Sequence, residues 1–506
     1  MGRFYLTTPI YYVNDLPHIG HAYTTFVADV IARYQRLKGN DVLFITGTDE
    51  NSQKNAEAAA KAGETDLQRY LDKMSARWQE TWDELNISNN DFIRTTEKRH
   101  WETVRYFFDL DSKKGDIYKG EYEGLYCDDC EAFLTEKDLA DGRCPFHQKA
   151  PRRIREENYF FRLTNYKEAL LKQIEDNPGF IRPEKRKNEA VSYIENNLAD
   201  FSISRPGLKC GLPFPLDKNQ RVYVWFDALI NYLTAIGFGR DEKIYQKWWP
   251  ADLHLMAKDI IKFHAVYWPA MLMSAGLPLP KTIFAHGFFT INGEKMSKSL
   301  GNVVDPVELS KIYPLDAVRY FLLREIKFGE DGDFSLVHLK EHYNNDLANE
   351  FGNLVQRVLV MAEKYCGRKV PTHSDKAEGL DPLCEIDVWR DWETIFNDYR
   401  FDEVLALIWQ VIGEANKFIE NEKPWKLAKN NKERLLDVIY NLLETLRQIA
   451  WLLLPIMPET SEKIWTQLGL DTAKEKSKEL ELARVWGGLE SGAKIKKGEP
   501  IFPRMI

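Results

Sequence analysis

The chain lacks several features that would assign it to a large class of proteins at once. No hydrophobic run reaches the roughly 20 residues of a membrane-spanning helix, and the first residues lack a secretory signal. Only six of the 506 residues are cysteine, too few for a disulfide framework in a chain of this length. We therefore expect a cytoplasmic protein with no membrane association.

An excess of positive charge is also missing. The net charge is -8 and the pI is about 5.8, which argues against indiscriminate binding to polyanions. Nucleic acid could still be held by a local basic face. A chain of 506 residues is too long for one core, so we expect two to four domains.

The first motif that carries chemistry is Pro17-His18-Ile19-Gly20-His21, between a predicted strand that contains Phe4–Leu6 and a predicted helix. A helix N-terminus presents unpaired backbone N–H groups and therefore favours an anion such as phosphate. His18 and His21 add hydrogen-bond donors, and Gly20 lets a flat ring approach the backbone. Taken alone, the motif is equally consistent with a turn that carries surface histidines.

Residues 1–115 alternate between strand and helix, which predicts a doubly wound parallel sheet. Further predicted strands are 41–46 and 91–95, and predicted helices are 56–62 and 67–85. Ligands bind at the carboxyl ends of such strands. Both the histidine motif and Asp49 follow a predicted strand, so we expect them at this edge.

Two cysteine-containing pairs lie in the next segment. Cys127 and Cys130 form one pair, and Cys144 and His147 form the other. Four Cys and His ligands at this spacing are typical of a closed tetrahedral zinc site, so we expect a structural metal. The alternative is a chance cluster of cysteines.

A second α/β half follows this insertion. Val222–Phe226 has the apolar pattern of a buried strand, and the strands 252–257 and 282–286 flank a predicted helix over 260–272. The loop Lys295-Met296-Ser297-Lys298-Ser299 comes next, between Gly293 and Gly301. Lysines on such a loop can move onto a phosphate chain and neutralise developing charge. Without a partner motif, the loop would be interpreted as ordinary surface.

From Asp316 onward strand signals disappear, and a helical bundle is predicted. Its predicted helices fill most of 337–366, 387–421, 431–454 and 458–468. Asn353 and Arg357 are four residues apart and share a helix face. Trp425 follows Pro424 in a turn. From spacing alone, a solvated polar face and a packing tryptophan are the favoured interpretation.

Together, the histidine and lysine motifs resemble the signatures of class I aminoacyl-tRNA synthetases, and the match tightens to the methionyl-tRNA synthetases over nearly the whole chain. The resemblance also rests on Thr7–Asn14, Gly47-Thr48-Asp49-Glu50, Tyr223–Ala228 and Lys258–His264. One departure is visible: the family often has His-Gly after Asp-Glu, whereas this chain has Asn51-Ser52. No role is carried onto those two positions.

The resemblance implies that methionine and Mg-ATP form methionyl-adenylate and pyrophosphate, and that the methionyl group then passes to tRNA(Met). It implies catalytic roles for His18, His21, Lys295 and Lys298, with ATP bound by His18, Gly20, His21, Lys295, Ser297 and Lys298. Methionine would contact Pro9, Ile10, Tyr12, Asp49, Trp225, Ala228, Leu229, Tyr232, Ile260 and His264. For the aromatic members, ordinary core packing is the alternative.

The same resemblance implies that Asn353, Arg357 and Trp425 read the anticodon and that zinc is held by Cys127, Cys130, Cys144 and His147. It implies a Rossmann-like catalytic domain split by a zinc-bearing insertion and followed by an all-α anticodon-binding bundle. The expected divisions are 1–115 and 221–290 for the catalytic halves, 116–220 for the insertion, 291–345 for the lysine loop and stem-contact region, 346–490 for the bundle and 491–506 for the tail.

Other members of class I are the nearest alternatives. Isoleucyl, leucyl and valyl enzymes carry a large editing domain in an insertion that here has only about 105 residues. Cysteinyl enzymes would use zinc in the amino-acid site, whereas the predicted zinc ligands of this chain lie in the insertion. A tRNA-binding protein that has lost catalysis would not need intact His18, His21, Lys295 and Lys298. The chain ends soon after the bundle, so we expect a monomer.

Overall fold

The computed structural model divides into two compact units, residues 1–32 with 41–287 and residues 33–40 with 288–506. It describes residues 2–134, 136–145, 148–208, 210–296, 301–372, 388–496 and 498–505. His147, Ser297 and Lys298 lie outside the described residues, and the side chain of Lys295 is not described.

The first unit contains most of the strands. They are β1 (Arg3–Tyr12), β2 (Asp41–Asp49), β3 (Asp91–Arg94), β4 (Ile117–Cys127), β5 (Ala132–Leu134), β6 (Arg152–Phe161), β7 (Ile181–Arg182), β8 (Phe201–Ser202), β9 (Ser204–Pro206), β10 (Pro213–Phe214), β11 (Asp217–Val222), β12 (Leu253–Ala257) and β13 (Ile283–His286). Its α-helices are α1 (Ile19–Leu37, whose residues from Arg33 belong to the second unit), α2 (Gln53–Lys61), α3 (Leu67–Glu84), α4 (Lys98–Lys114), α5 (Lys167–Asp176), α6 (Glu184–Asn197), α7 (Val224–Leu229), α8 (Asn231–Thr234), α9 (Glu242–Trp248) and α10 (Trp268–Ser274).

A six-stranded parallel sheet in the order β3-β2-β1-β12-β13-β7 forms the centre of the first unit. On one side the chain adds β2 and β3 outward from β1, and on the other side it adds β13 next to β12. The junction of these two strands is therefore the topological switch point, where an open α/β sheet binds its ligands. The predicted doubly wound sheet is confirmed, and β7 joins it from within residues 116–220.

Local sequence explains how closely β2 and β3 approach. A Cβ on Gly47 would lie 2.1 Å from the carbonyl oxygen of Ile93, so only glycine fits there. Apart from this sheet, the described residues of the unit form two small sheets, ordered β5-β4-β6-β8 and β10-β11-β9. The first of them contains the start of the cysteine segment, since β4 ends at Cys127.

The second unit is mainly helical. Its strands are β14 (Phe289–Ile291), β15 (Glu294–Lys295) and β16 (Gly332–Phe334). Its α-helices are α11 (Pro306–Ile312), α12 (Leu315–Glu325), α13 (Leu336–His342), α14 (Asn353–Cys366), α15 (Val388–Asn397), α16 (Phe401–Glu422), α17 (Pro424–Asn430), α18 (Lys432–Leu453), α19 (Pro458–Gln467), α20 (Thr472–Lys476) and α21 (Leu480–Ala483). Fully buried Trp392, Trp451 and Trp465 lie in its core, which accounts for part of the chain's high tryptophan content.

Several sequence predictions of secondary structure are wrong in detail. Val222–Phe226 is not a strand, because β11 ends at Val222 and α7 begins at Val224. A short apolar run cannot separate a buried strand from a buried helix. The helix predicted over 260–272 contains a π-helical turn at Phe263–Tyr267, and β16 is a strand beyond residue 316.

None of the described helices has both the length and the apolar character that a membrane span needs.

The predicted helices at 337–366 and 387–421 are each divided in the structure. A π-helical segment, Tyr343–Gly352, separates α13 from α14 and leads directly into Asn353. Such segments occur often at functional sites, because they change the face that a helix presents.

Candidate active site

The histidine motif lies at the N-terminus of α1, close to the carboxyl end of β1. The rings of His18 and His21 stack with centroids 3.7 Å apart. The backbone N–H of Gly20 donates to Nδ1 of His18 (3.1 Å), and that of His18 donates to Nδ1 of His21 (3.3 Å). Each neutral ring therefore carries its proton on Nε2, where it is a hydrogen-bond donor.

Aromatic packing keeps His21 uncharged. Its ring centroid lies 5.1 Å from that of Tyr11 and 5.0 Å from that of Trp78. Burial, together with the neighbouring His18, holds the pKa of His21 well below its usual value. The motif therefore offers neutral donors and a helix N-terminus to an anion, without a fixed positive charge.

His286 is a further residue beside this helix that sequence reasoning did not single out. Its Nδ1 lies 2.7 Å from the carbonyl oxygen of Gly287, which can only accept, so Nδ1 donates. Its Nε2 lies 2.7 Å from the hydroxyl oxygen of Thr24, so both ring nitrogens have partners. The position of His286 at the end of a predicted strand was a usable signal, because ligand sites occur at such ends.

Asp49 ends β2 and lies directly opposite Tyr12 of β1 in the sheet register. Its side chain is buried, and its Oδ1 accepts from the backbone N–H of Asn51 at 3.2 Å. Burial, followed by the nearby carboxylates of Asp227 and Glu131, raises the pKa of Asp49 well above its usual value. A carboxylate in this setting favours a cation beside it, because the cation offsets both effects.

Asn51 joins Asp49 to a second buried carboxylate. Its side-chain amide donates to Oδ2 of Asp227 at 2.6 Å, while Nε2 of His100 lies 3.2 Å from Oδ1. Asn51 is one of the two departures from the family pattern, and no role was predicted for it. His100 and Asp227 are likewise contacts that only the fold reveals, because α4 and α7 are distant in sequence.

The expected apolar pocket residues come from β1, α7, α8 and the 258–264 segment. Tyr232 lies 2.7 Å from Nε2 of His264, whose Nδ1 lies 3.0 Å from the carbonyl oxygen of Ile260. Since that carbonyl can only accept, Nδ1 of His264 donates and Nε2 accepts from the Tyr232 hydroxyl. Burial lowers the pKa of His264 to about 4, so the ring is neutral at physiological pH.

Trp225 is half-buried, and its ring stacks on Phe263 at 3.6 Å with planes only 3° apart. Of the other predicted pocket residues, Pro9, Ala228 and Leu229 are buried, whereas Ile10, Tyr12 and Ile260 keep some exposure. Ile10 pairs with Gly47 in the sheet, two residues before Asp49. The structure thus brings the predicted lining to the same sheet edge as Asp49.

The three described cysteines of the predicted metal site converge. The sulfur atoms of Cys127, Cys130 and Cys144 all lie within 4.8 Å of one another. Cys127 and Cys144 are buried, and Cys130 is half-buried. Three converging thiols fit the soft, tetrahedral ligand set that zinc prefers. The fourth predicted ligand, His147, lies outside the described residues.

The lysine loop begins on a tight hairpin in the second unit. β14 pairs antiparallel with β15, and both turn residues, Asn292 (φ 51°) and Gly293 (φ 80°), have positive φ. An Asn-Gly pair between short strands is a strong hairpin signal that sequence reasoning missed. Asp333 of β16 holds the turn, since its Oδ1 accepts from Thr290 (2.5 Å) and from the backbone of Gly293 (2.7 Å). The hairpin fixes the backbone position of Lys295.

The predicted anticodon residues lie on two helices of the second unit, Asn353 and Arg357 on α14 and Trp425 on α17. The prediction that Trp425 lies in a turn is wrong, because α17 begins at Pro424, a residue that suits the first position of a helix. Asn353 is exposed at the start of α14, and Arg357 on the same helix forms a 2.5 Å ion pair with Glu420 of α16. Trp425 follows the left-handed residue Lys423 and is 44% exposed. An exposed tryptophan in the first turn of a helix is available for stacking, so a role as a purely buried packing residue does not describe it.

Comparison with known families agrees with this architecture. The model of class I tRNA synthetases (M) matches residues 4–153 and 135–359. The model of the anticodon-binding domain of tRNA ligases matches residues 390–491. These two matches cover both units of the chain.

Curated relatives and solved structures agree as well. The methionine–tRNA ligase of Thermotoga maritima is 46% identical over 99% of this chain and 80% of its own length. That of a Nostoc species is 43% identical over 99% of this chain and 97% of its own. A Mycobacterium tuberculosis methionyl-tRNA synthetase in complex with methionyl-adenylate superposes with a TM-score of 0.93, at 40% identity and over the full length of both chains. The chain therefore belongs to the methionyl-tRNA synthetase family of class I aminoacyl-tRNA synthetases.

Proposed function

We propose that this chain activates methionine with ATP and transfers it to the 3′ terminal adenosine of tRNA(Met), for both initiation and elongation of translation. The observation that carries the proposal is the set of groups at the carboxyl ends of the strands of the parallel sheet. There, a buried carboxylate, a group of aromatic side chains and the N-terminus of α1 follow strands β1, β2 and β12. The family membership adds the reaction that this combination performs.

Methionine recognition follows from the charge of each group. Asp49 binds the substrate ammonium, which supplies the positive charge that favours its ionised form. The thioether has no strong hydrogen-bonding handle, so an apolar, polarisable lining suits it. Trp225, Tyr232 and neutral His264 provide such a lining without adding a charge.

ATP is bound by the histidine motif and the lysine loop. The Nε2–H groups of His18 and His21 donate to the triphosphate, and Gly20 leaves room for a flat ring. The methionine carboxylate attacks the α-phosphorus, and the bond to pyrophosphate breaks. Lys295 and Lys298 neutralise the charge that develops on pyrophosphate, and Ser297 binds ATP through its hydroxyl. Magnesium accompanies ATP as its counterion and withdraws charge from the phosphates.

In the second step, a hydroxyl of the terminal ribose attacks the methionyl carbonyl, and AMP leaves with the bonding electrons. Selection of the tRNA is assigned to Asn353, Arg357 and Trp425 in the helical bundle. Arg357 offers a planar fork of donors, and Trp425 offers an exposed ring for base stacking. The proposed domain boundaries are those predicted from the sequence, with the catalytic halves at 1–115 and 221–290, the insertion at 116–220 and the bundle at 346–490.

Zinc is proposed as a structural metal held by Cys127, Cys130, Cys144 and His147. The convergence of three sulfur atoms supports this assignment. We also propose a cytoplasmic monomer, in keeping with a role in translation. Size-exclusion chromatography with light scattering tests the oligomeric state, and a dimer mass would refute it.

Charging of tRNA tests the proposed function directly. Purified protein, ATP and each of the 20 amino acids are incubated with a tRNA(Met) transcript and with the same transcript carrying another anticodon. We expect methionine alone to be attached, and the altered anticodon to reduce charging strongly. Charging with a different amino acid would refute the substrate, and equal charging of both transcripts would refute the anticodon assignment.

A further inference from the structure

Glu131 lies between the cysteine site and the methionine pocket, and it belongs to neither set of predicted site residues. It directly follows Cys130 and is only 4% exposed. Its carboxylate accepts from the Ser52 hydroxyl at 2.5 Å and from the backbone N–H of Gln53 at 2.7 Å. Hydrogen bonds therefore connect Glu131, in the cysteine segment, to the start of α2.

The main chain of Glu131 reaches the opposite side of the pocket. Its carbonyl oxygen accepts from the hydroxyl of Tyr223 and from the indole N–H of Trp225, the latter at 3.2 Å. Glu131 has a φ of 46°, a left-handed conformation that is unfavourable for a residue with a side chain. Contacts on both sides of the residue offset this cost.

Both groups of contacts end beside residues assigned to methionine. Asp49 lies three residues before Ser52, which Glu131 contacts, and the side chain of Asn55 on α2 donates to the carbonyl oxygen of Asp49 at 2.9 Å. The α2 residue Lys54 also donates to the carbonyl oxygen of Asp129. The ammonium-binding side and the aromatic side of the pocket thus share one support in the cysteine segment.

We propose that Glu131 is a positioning residue for methionine recognition. It fixes the distance between Asp49 and Trp225 and thereby connects the turn at Cys127–Cys130 to the shape of the pocket. The inference rests on the proposed assignment of Asp49 and Trp225 to the pocket. It concerns methionine alone, because none of the contacts of Glu131 described above involves the histidine motif.

The experiment measures binding of labelled methionine by equilibrium dialysis, without ATP or tRNA. Glu131→Ala removes both acceptors, and we expect the Kd for methionine to rise about tenfold. Glu131→Gln keeps one acceptor for Gln53 and offers a donor to Ser52, so we expect partial rescue. Asp128→Ala is the matched control, since Asp128 in the same turn is exposed and pairs only with exposed Arg152 among the contacts described.

Zinc content, thermal midpoint and the KM for ATP are measured on every variant. The proposal predicts that zinc content and the KM for ATP stay at the wild-type values in Glu131→Ala while the Kd for methionine rises, with a modest fall of the thermal midpoint because two buried hydrogen bonds are lost. Parallel loss of zinc, stability and both substrate affinities would overturn it, because Glu131 would then be merely structural. Should Glu131→Ala not fold, Ser52→Ala removes one of the two hydrogen bonds of the Glu131 carboxylate. An unchanged Kd for methionine in Ser52→Ala would also overturn the proposal.

Trp225→Ala separates the two assignments. If it leaves the Kd for methionine unchanged, the proposed pocket is wrong. If Trp225→Ala weakens methionine binding and Glu131→Ala does not, the pocket stands and the positioning role of Glu131 is refuted.

Discussion

The hydroxyl of Tyr232 donates to Nε2 of His264 across 2.7 Å, and both side chains are buried. Burial lowers the pKa of His264 to about 4, so the ring is neutral. Its Nδ1 donates to the carbonyl oxygen of Ile260, so both of its ring nitrogens have partners. The predicted pocket therefore contains a histidine but no positive charge. That arrangement suits an apolar side chain and would disfavour a charged one.

Tyr232→Phe tests this relationship. The change leaves Nε2 of His264 buried without a donor, a loss of about 1–3 kcal/mol for an unpaired polar group. We expect the KM for methionine in adenylate formation to rise about tenfold, with the KM for ATP unchanged. Tyr106→Phe, on an exposed tyrosine, is the control. An equal rise in both KM values would indicate a general loss of structure.

Acid should weaken methionine binding through Asp49. Its pKa is raised by burial and by Asp227, Glu131 and Glu50, so the carboxylate gains a proton well above its usual range. Since only the ionised form attracts ammonium, the Kd for methionine should rise as pH falls through this raised pKa, by up to about tenfold per pH unit. Titration calorimetry between pH 8 and pH 5 measures the effect.

Asp49→Asn is the control for the pH effect. The variant should bind methionine weakly at every pH and show a much flatter profile. A profile as steep as that of the parent protein would assign the effect to another group. His264 does not compete as an explanation, because its pKa of about 4 keeps it neutral across this range.

The sequence predicted the framework of the site well, for a physical reason. A parallel sheet places the carboxyl ends of its strands at one edge, so Asp49 and the histidine motif could be brought together from strand order alone. The family membership and the fold class are confirmed. The residues of the individual sites remain predictions.

The contacts that support the site could not be predicted from the sequence. The bonds from Asn51 to Asp227 and from Ser52 to Glu131 join positions far apart in the chain. No periodicity or spacing encodes them, because they depend on how the inserted strands pack. The error at Val222–Phe226 has a different cause: α7 is buried on nearly all sides, and its apolar run therefore resembles a strand.

Lys295→Ala should reduce adenylate formation. A lysine that neutralises charge in the transition state is worth about 10²–10³-fold in rate, while methionine affinity should not change. Rapid-quench measurement of a single turnover tests this. Glu294→Ala, at an exposed neighbour on the same short strand, should be nearly neutral. An unchanged single-turnover rate in Lys295→Ala would refute the assigned role.

Trp425→Ala should weaken tRNA charging and spare amino-acid activation. The ring is 44% exposed, so its loss removes a stacking surface worth about 1–3 kcal/mol per base without opening a cavity. Charging and pyrophosphate exchange are compared in the same preparation. Val360→Ala, an equally exposed apolar residue on α14, is the control. Equal loss in both reactions would indicate a structural tryptophan.

Zinc should be present at one equivalent in untreated protein. Cys144→Ser should release it, because a buried serine hydroxyl replaces one of three converging sulfur ligands. Elemental analysis by mass spectrometry gives the count. Cys366→Ser, a cysteine in α14 of the second unit, should retain the full equivalent. Metal-free wild-type protein would remove the site.

Methionine-dependent exchange of pyrophosphate with ATP tests the central proposal most directly. The reaction tests the proposed roles of Asp49, the histidine motif and the lysine loop in activation, and it needs no tRNA. We predict exchange with methionine and none above background with isoleucine, leucine, valine or cysteine. Absence of exchange with methionine, or equal exchange with any of the other four, would contradict the account.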